Sequence, residues 1–477
     1  MHDVYENPLI TRYASEEMSE IFSDDTRYTL WRKLWIALAE SEKELGLDIS
    51  DEQIEQMKSV QDKIDYERER EFEEKLRHDV MAHIHTFGTQ APLAMPIIHL
   101  GATSCFVTDN GDIIIYDNAL DLVRKKLIST IKKLRNFALK YKDLPCLSYT
   151  HFQPAQLSTV GKRACLWLQD LLLDLESLDN LKKTVRLRGV KGTTGTQASF
   201  LDLFDGDGEK VKRLEKKVCE KMGYSACYAV TGQTYPRKFD YNVLCVLSQI
   251  SQSAYKFAND IRLLQSNKEI EEPFEKTQVG SSAMAYKRNP MRCERICSLA
   301  RYAESLAQNA AITSSTQWLE RTLDDSANKR ISVPEAFLAT SGILNLYINV
   351  ISGLRVYEKV IKKNLDRELP FMATENILMY LVEEKGFDRQ VAHEIIRVHS
   401  VAAGEHVKVE GGDNDLLDRL SGDERLGLTK EEIAKICDAH GFSGLAEKQT
   451  EKFLAFVKKE VLDKNAELLG FEAQVTV

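Results

Sequence analysis

Proline and glycine are scarce in this chain, with ten prolines and 24 glycines among 477 residues. Helices tolerate both residues poorly, so their scarcity points to a mostly helical protein. No run of 18 apolar residues occurs, which argues against a membrane span. The N-terminal stretch MHDVYENPLITRYASEEM lacks a positively charged start followed by an apolar segment, so it does not read as a signal peptide. Basic tracts are missing too. With a net charge of −9 and a pI near 5.7, nucleic acid is not an expected partner. The nine cysteines contain no CxxC pair. Cys293 and Cys297 stand one helical turn apart, but two thiols alone make a poor metal site, and the set reads as reduced thiols of a cytoplasmic protein. Neither an internal repeat nor a low-complexity segment is found.

What is present is ordinary in bulk: 43% hydrophobic and 29% charged residues, on a chain long enough for two or three domains. No proline lies between Pro96 and Pro145, between Pro154 and Pro236, or between Pro290 and Pro334, and long helices can fill these intervals. The stripe Val243, Leu247, Ile250, Ala254, Phe257, Ile261, Leu264 steps by four and three, as do Leu127, Ile131, Leu134, Ala138 and Tyr141. That rhythm buries a narrow seam between long, nearly aligned helices. Because one long helix cannot bury itself, several must pack together, within one chain or between chains. The expected class is all-α in three parts: an N-terminal helical domain over 1–111, a long-helix bundle over 112–357, and a small C-terminal helical domain over 358–477.

Four stretches look unlike structural filler. Gly280-Ser-Ser-Ala-Met-Ala-Tyr-Lys-Arg-Asn-Pro290 lies between helical patterns. As a loop it offers hydroxyls, amides and an ammonium that could fold over an anion. Thr150-His-Phe-Gln-Pro-Ala-Gln156 precedes a long helix. Arg77-His-Asp-Val-Met-Ala-His-Ile-His85 carries three histidines. On one helix His78 and His85 would stand roughly 10 Å apart along the axis and His83 would point about 140° away from His78, so a single zinc site cannot use all three. In Trp318-Leu-Glu-Arg-Thr-Leu-Asp-Asp-Ser-Ala-Asn-Lys-Arg330, Arg321 and Arg330 would face opposite ways on an unbroken helix. A break near Asp325, with Ser326 capping a new helix, would let both reach one phosphate. Gly189-Val-Lys-Gly-Thr-Thr-Gly195 is not a nucleotide P-loop, because its lysine comes too early.

The loop 280–290 resembles the signature of the fumarase/aspartase superfamily. RHDVMAH, THFQPAQ, YKRNP and WLERTLDDSANKR resemble, in order, the adenylosuccinate lyase branch of that superfamily. The resemblance implies release of fumarate from adenylosuccinate and from succinylaminoimidazole carboxamide ribotide, both purine nucleotide intermediates, by breaking a C–N bond. It implies no metal or organic cofactor, and a homotetramer around a central helical bundle with active sites shared between subunits. By the same match Ser281 is the proton-abstracting base, His151 the acid that protonates the leaving nitrogen, Lys287 a stabiliser of carboxylate charge, Asn289 a carboxylate contact and Glu294 the partner of the catalytic histidine. Arg12 and Tyr13, the group Arg77, His78 and Asp79, and Gln233 with Arg295 match nucleotide contacts. Thr103 and Ser104 match binders of the succinyl end, and Arg321, Ser326 and Arg330 match phosphate and ribose contacts. One position departs from the pattern: Ala285 stands where the family usually has proline. Argininosuccinate lyase is the alternative within the superfamily, disfavoured because GATSCFVTDN lacks that branch's arginine-rich pattern. Two readings outside catalysis, a structural relative without activity and a helical scaffold, fit less well. The first conflicts with intact Ser281, Lys287, Asn289 and His151, and the second leaves the polar loop unexplained.

Overall fold

The computed structural model describes residues 3–473. Five long helices make its centre: Cys105–Lys140, Val160–Lys182, Lys238–Ser266, Met291–Ser315 and Asp324–Gly353. Both heptad-like stripes read from the sequence are buried: every member of the 243–264 series is at most 5% exposed, and Leu127, Ile131, Leu134 and Ala138 are fully buried. Each such Leu, Ile or Phe contributes roughly 1.5–3 kcal/mol by leaving water. Specific side-chain contacts join the helices. Trp167 Nε1 donates to Asp260 Oδ2 at 2.7 Å, and Phe257 stacks on Tyr347 with centroids 4.0 Å apart. Among the described residues, Asp324–Gly353 alone is long and apolar enough to cross a membrane, and 83% of its most apolar 18-residue window is buried inside the fold. It is the core helix of the bundle. Pro334 sits inside it and withholds the amide that the Arg330 carbonyl would otherwise receive.

The interval between Pro154 and Pro236 is not one helix. After Val160–Lys182 the chain makes shorter helices, Ala198–Leu203 and Gly208–Lys221. The latter packs with Trp31, Trp35, Phe87 and Phe106 in a second core near the N-terminal part. A third core, built from residues between Ala373 and Ile433, belongs to the C-terminal part. Position 111 falls inside the Cys105–Lys140 helix, and Leu454, Val457 and Leu462 return to the central core. Strong caps start many helices. Ser15, Ser23, Ser50, Thr159, Asp207, Asp388 and Thr429 each accept a backbone amide, and Ser50–Gln53 and Thr429–Glu432 form reciprocal capping boxes.

Two small antiparallel sheets interrupt the helices, Pro145–Thr150 with Gln153–Thr159 and Ile270–Glu271 with Arg355–Val356. Leu147 and Leu157 seat the first hairpin on Leu365 and Leu369 of the Glu358–Met372 helix. The N-terminal segment is fastened by a buried lysine: Lys126 Nζ donates to Ser15 Oγ at 2.9 Å and to Ser341 Oγ at 2.6 Å. Burial pushes this amine down to about 8. Gly342 permits the contact, since a Cβ there would lie 2.5 Å from the Tyr13 carbonyl oxygen.

Candidate active site

A cavity of about 790 Å³ opens where the N-terminal part meets the bundle. Arg77, His78, Asp79, Thr103, Ser104, Gln233, Arg321, Ser326 and Arg330, all singled out from the sequence, line it together. Local chain geometry explains how. Arg77 closes the Tyr66–Leu76 helix in a left-handed conformation with φ 53°, which turns the chain sharply. His78 then caps the next helix, Asp79–Gln90, with Nδ1 accepting the Met81 amide at 3.3 Å. An accepting Nδ1 leaves the proton on Nε2, which faces Ser104 Oγ at 3.5 Å. The helix thus begins after His78, and the three histidines separate. His83 lies against Tyr28 with ring centroids 3.8 Å apart, and His85 stacks on Phe72 at 5.2 Å. Among the described residues no group of three or more His, Cys, Asp or Glu side chains could hold a metal ion.

The break expected near Asp325 comes slightly earlier. The helix starts at Asp324 with Leu323 in the cap position, so Ser326 sits in the first turn and caps nothing. Two aspartates in that turn suit the positive end of the helix dipole, although among the described residues no side chain caps the helix start. Arg321 precedes the helix and Arg330 follows in its second turn, so both still reach the cavity. Arg330 Nη2 donates to Asp79 Oδ2 at 2.7 Å. Burial pushes the Asp79 carboxyl up, but Arg330 and the Val80 amide outweigh it and hold it below the usual range.

Side chains that the sequence did not mark complete the walls. Asp109, Asp112, Arg237, Asp325 and Lys329 all border the cavity, with Lys329 Nζ 2.5 Å from Asp112 Oδ2. Arg237 lies four residues after Gln233, and Asp325 lies inside WLERTLDDSANKR. Proximity to those motifs was the available signal.

The remaining sequence-marked residues are not among those lining this cavity. His151 is at the tip of the first hairpin, exposed, and both it and Phe152 have positive φ (53° and 57°). Thr150 pairs with Gln153, so these two form a two-residue turn of the kind that usually carries Asn-Gly. Glu294, in the first turn of Met291–Ser315, is exposed, and among the described residues no hydrogen bond links it to His151. The 280–290 loop is clasped at its ends: Asn289 Nδ2 donates to the Gly280 carbonyl at 2.7 Å. A Cβ at Gly280 would lie 2.2 Å from the Lys287 carbonyl oxygen, so only glycine fits. Ser281 Oγ accepts the amides of Ala283 and Met284, while the Lys287 side chain stands exposed. Arg12 and Arg295 flank Tyr13, each with its guanidinium carbon about 6 Å from the ring centroid (6.0 and 5.9 Å).

Over more than half of its length the chain matches the lyase class of proteins. Residues 12–303 match the family model described as "Lyase", and residues 370–453 match "Adenylosuccinate lyase C-terminus". The adenylosuccinate lyase of Saccharomyces cerevisiae is 54% identical over 463 residues, covering 96% of this chain and 95% of that one. Those of Schizosaccharomyces pombe and Schistosoma mansoni are 53% and 48% identical, each over 99% of this chain and over 97% and 99% of their own. The chain belongs to the adenylosuccinate lyase family. Among solved structures, a 3-carboxy-cis,cis-muconate lactonizing enzyme from Pseudomonas putida superimposes with a TM-score of 0.81 at 22% identity, over 95% of this chain and 99% of that one. A fumarate lyase from Mesorhizobium gives 0.78 at 22%, over 95% and 99%. These two show the shared fold.

Proposed function

We propose that this chain eliminates fumarate from adenylosuccinate, giving AMP, and from succinylaminoimidazole carboxamide ribotide, giving the aminoimidazole carboxamide ribotide. The observation that carries the reading is the convergence of Arg77, Arg321 and Arg330 with His78, Thr103 and Ser104 on one cavity. The substrate brings two carboxylates and a phosphate worth about −1.5 to −2 charges, and guanidinium forks suit both. In the proposed step Ser281 Oγ takes the proton from the carbon beside a carboxylate, the C–N bond breaks with its electron pair passing to nitrogen, and His151 protonates that nitrogen. Lys287 stabilises the negative charge that builds on the carboxylate, Asn289 holds it, and Glu294 orients the histidine. No metal or organic cofactor enters these steps.

His151, Ser281 and Lys287 lie on exposed segments outside the cavity of their own chain, which supports a site completed by other copies. Exposed apolar side chains along the bundle, Leu166 and Leu173 on one helix and Ile312 on another, support the same reading. The proposed assembly is a homotetramer around the long helices. A cytoplasmic setting fits the nine cysteines, all free. Absorbance recorded as purified protein meets adenylosuccinate or argininosuccinate tests the reading: turnover of adenylosuccinate is expected, and turnover of argininosuccinate instead overturns it.

A further inference from the structure

The cavity wall conceals a chain of four charges. Asp325, fully buried, is shared by two guanidinium groups: Arg237 Nε donates to Oδ2 at 2.6 Å, and Arg321 Nη1 donates to Oδ1 at 2.7 Å. Arg237, 3% exposed in its side chain, gives its other two nitrogens to Asp109, both at 3.1 Å. The Tyr235 amide fixes Asp109 from a third side at 2.7 Å. The series therefore runs Asp109–Arg237–Asp325–Arg321, and only its last member, 22% exposed, reaches out of the wall.

Stability gives this arrangement no clear reason. Buried ion pairs are often replaceable by apolar side chains at no loss, because desolvation offsets their attraction. What the series does deliver is direction. A free arginine has several rotatable bonds, and a guanidinium recognises a phosphate well only when its planar fork is aimed. With Nη1 held by a carboxylate that is itself immobile, the rest of the Arg321 fork is presented to the cavity in one orientation. Arg237 is poorly placed to serve a ligand itself, since its side chain is buried and each of its three nitrogens already donates to a carboxylate.

We propose that Asp325 and Arg237 are positioning residues that aim Arg321 at the phosphate of the bound nucleotide. This rests on the reading that Arg321 meets that phosphate. It makes a prediction of opposite sign to simple electrostatics. Removing a negative charge beside an anion site should tighten anion binding, whereas removing the support of Arg321 should loosen it.

The test compares inhibition of the intact enzyme by AMP and by adenosine, which lacks the phosphate. For Asp325→Asn, AMP inhibition should weaken about tenfold or more, a loss of the size that one well-made charged contact confers. Adenosine inhibition should stay within about twofold and kcat within about threefold. Tighter or unchanged AMP binding overturns the proposal, and so does parallel weakening of both ligands, the mark of general damage. Arg237→Lys keeps the charge but offers one ammonium to two carboxylates. It should move AMP in the same direction by less, and it decides the matter if Asp325→Asn does not fold. Arg321→Met separates the two layers of the inference. Loss of discrimination between AMP and adenosine there, without loss in Asp325→Asn, overturns positioning alone. Retained discrimination in Arg321→Met overturns the phosphate reading together with the positioning built on it.

Discussion

The Met284 amide donates to Ser281 Oγ at 3.1 Å, and the Ala283 amide joins it at 3.3 Å. Hydrogen bonds to an oxygen strengthen as it gains negative charge, so these donors favour the alkoxide over the hydroxyl. A neutral hydroxyl is a weak base, and two amides pointed at its oxygen raise the share of the stronger base, the alkoxide. Ser281→Ala should lower kcat by roughly 10²–10⁴, the usual contribution of a positioned base, with KM little changed. Steady-state kinetics on adenylosuccinate checks this, and activity within tenfold of the parent would sink the assignment.

Ala285 occupies the second position of a four-residue turn closed by the Lys287 amide on the Met284 carbonyl at 3.0 Å. Proline is favoured at that position of common turns, and among the described residues the Ala285 amide has no acceptor to lose. Ala285→Pro should therefore fit, stabilise the folded protein by about 0.4–1 kcal/mol and lower KM modestly with kcat unchanged. Loss of all activity would show that the turn needs the freedom alanine gives.

His83 is held neutral. Burial first, and the charge of Arg32 second, push its imidazole down to about 4 from the ordinary 6.5, and among the described residues its Nε2 has no hydrogen-bond partner. Between those pH values the unfolded chain binds a proton that the folded chain refuses. The group's contribution is thus fully present above 6.5 and is lost as pH falls towards 4, by at most about 3 kcal/mol. His83→Phe should flatten this part of the acid limb in denaturation midpoints, at a cost near neutrality below about 1.5 kcal/mol. An unchanged acid limb would mean that His83 titrates alike in both states.

If the proposed acid and base of one site come from different copies, inactive His151→Ala and Ser281→Ala proteins should complement. Unfolded and refolded together in equal amounts, they should recover about one quarter of full activity, from one half multiplied by one half in a closed symmetric assembly. Well-folded hybrids with no activity would place both groups on one chain.

The long helices were legible because their stripes repeat over many turns and report one buried face. The hairpin around His151 was not. Its strands are short, and its turn carries His-Phe where the recognisable signal would be Asn-Gly. The start of the Asp324–Gly353 helix lies three residues before the one expected from Ser326 as cap, since Asp324, Asp325 and Ser326 are all plausible residues for a helix start. Asp109, Arg237 and Asp325 were invisible as a group because their contacts join positions 128 and 88 apart. Motif matching found nine of the residues that line the cavity, while the pairing of Asp109, Arg237 and Asp325 emerges only in three dimensions.

The tip of that hairpin sets heat resistance against the role proposed for His151. Non-glycine residues held at positive φ cost of order 1–3 kcal/mol each, and two stand side by side at His151 and Phe152. An Asn-Gly pair would relieve both. A laboratory selection that rewarded only survival at high temperature would drift towards that pair, and every winner would have discarded the proposed proton donor.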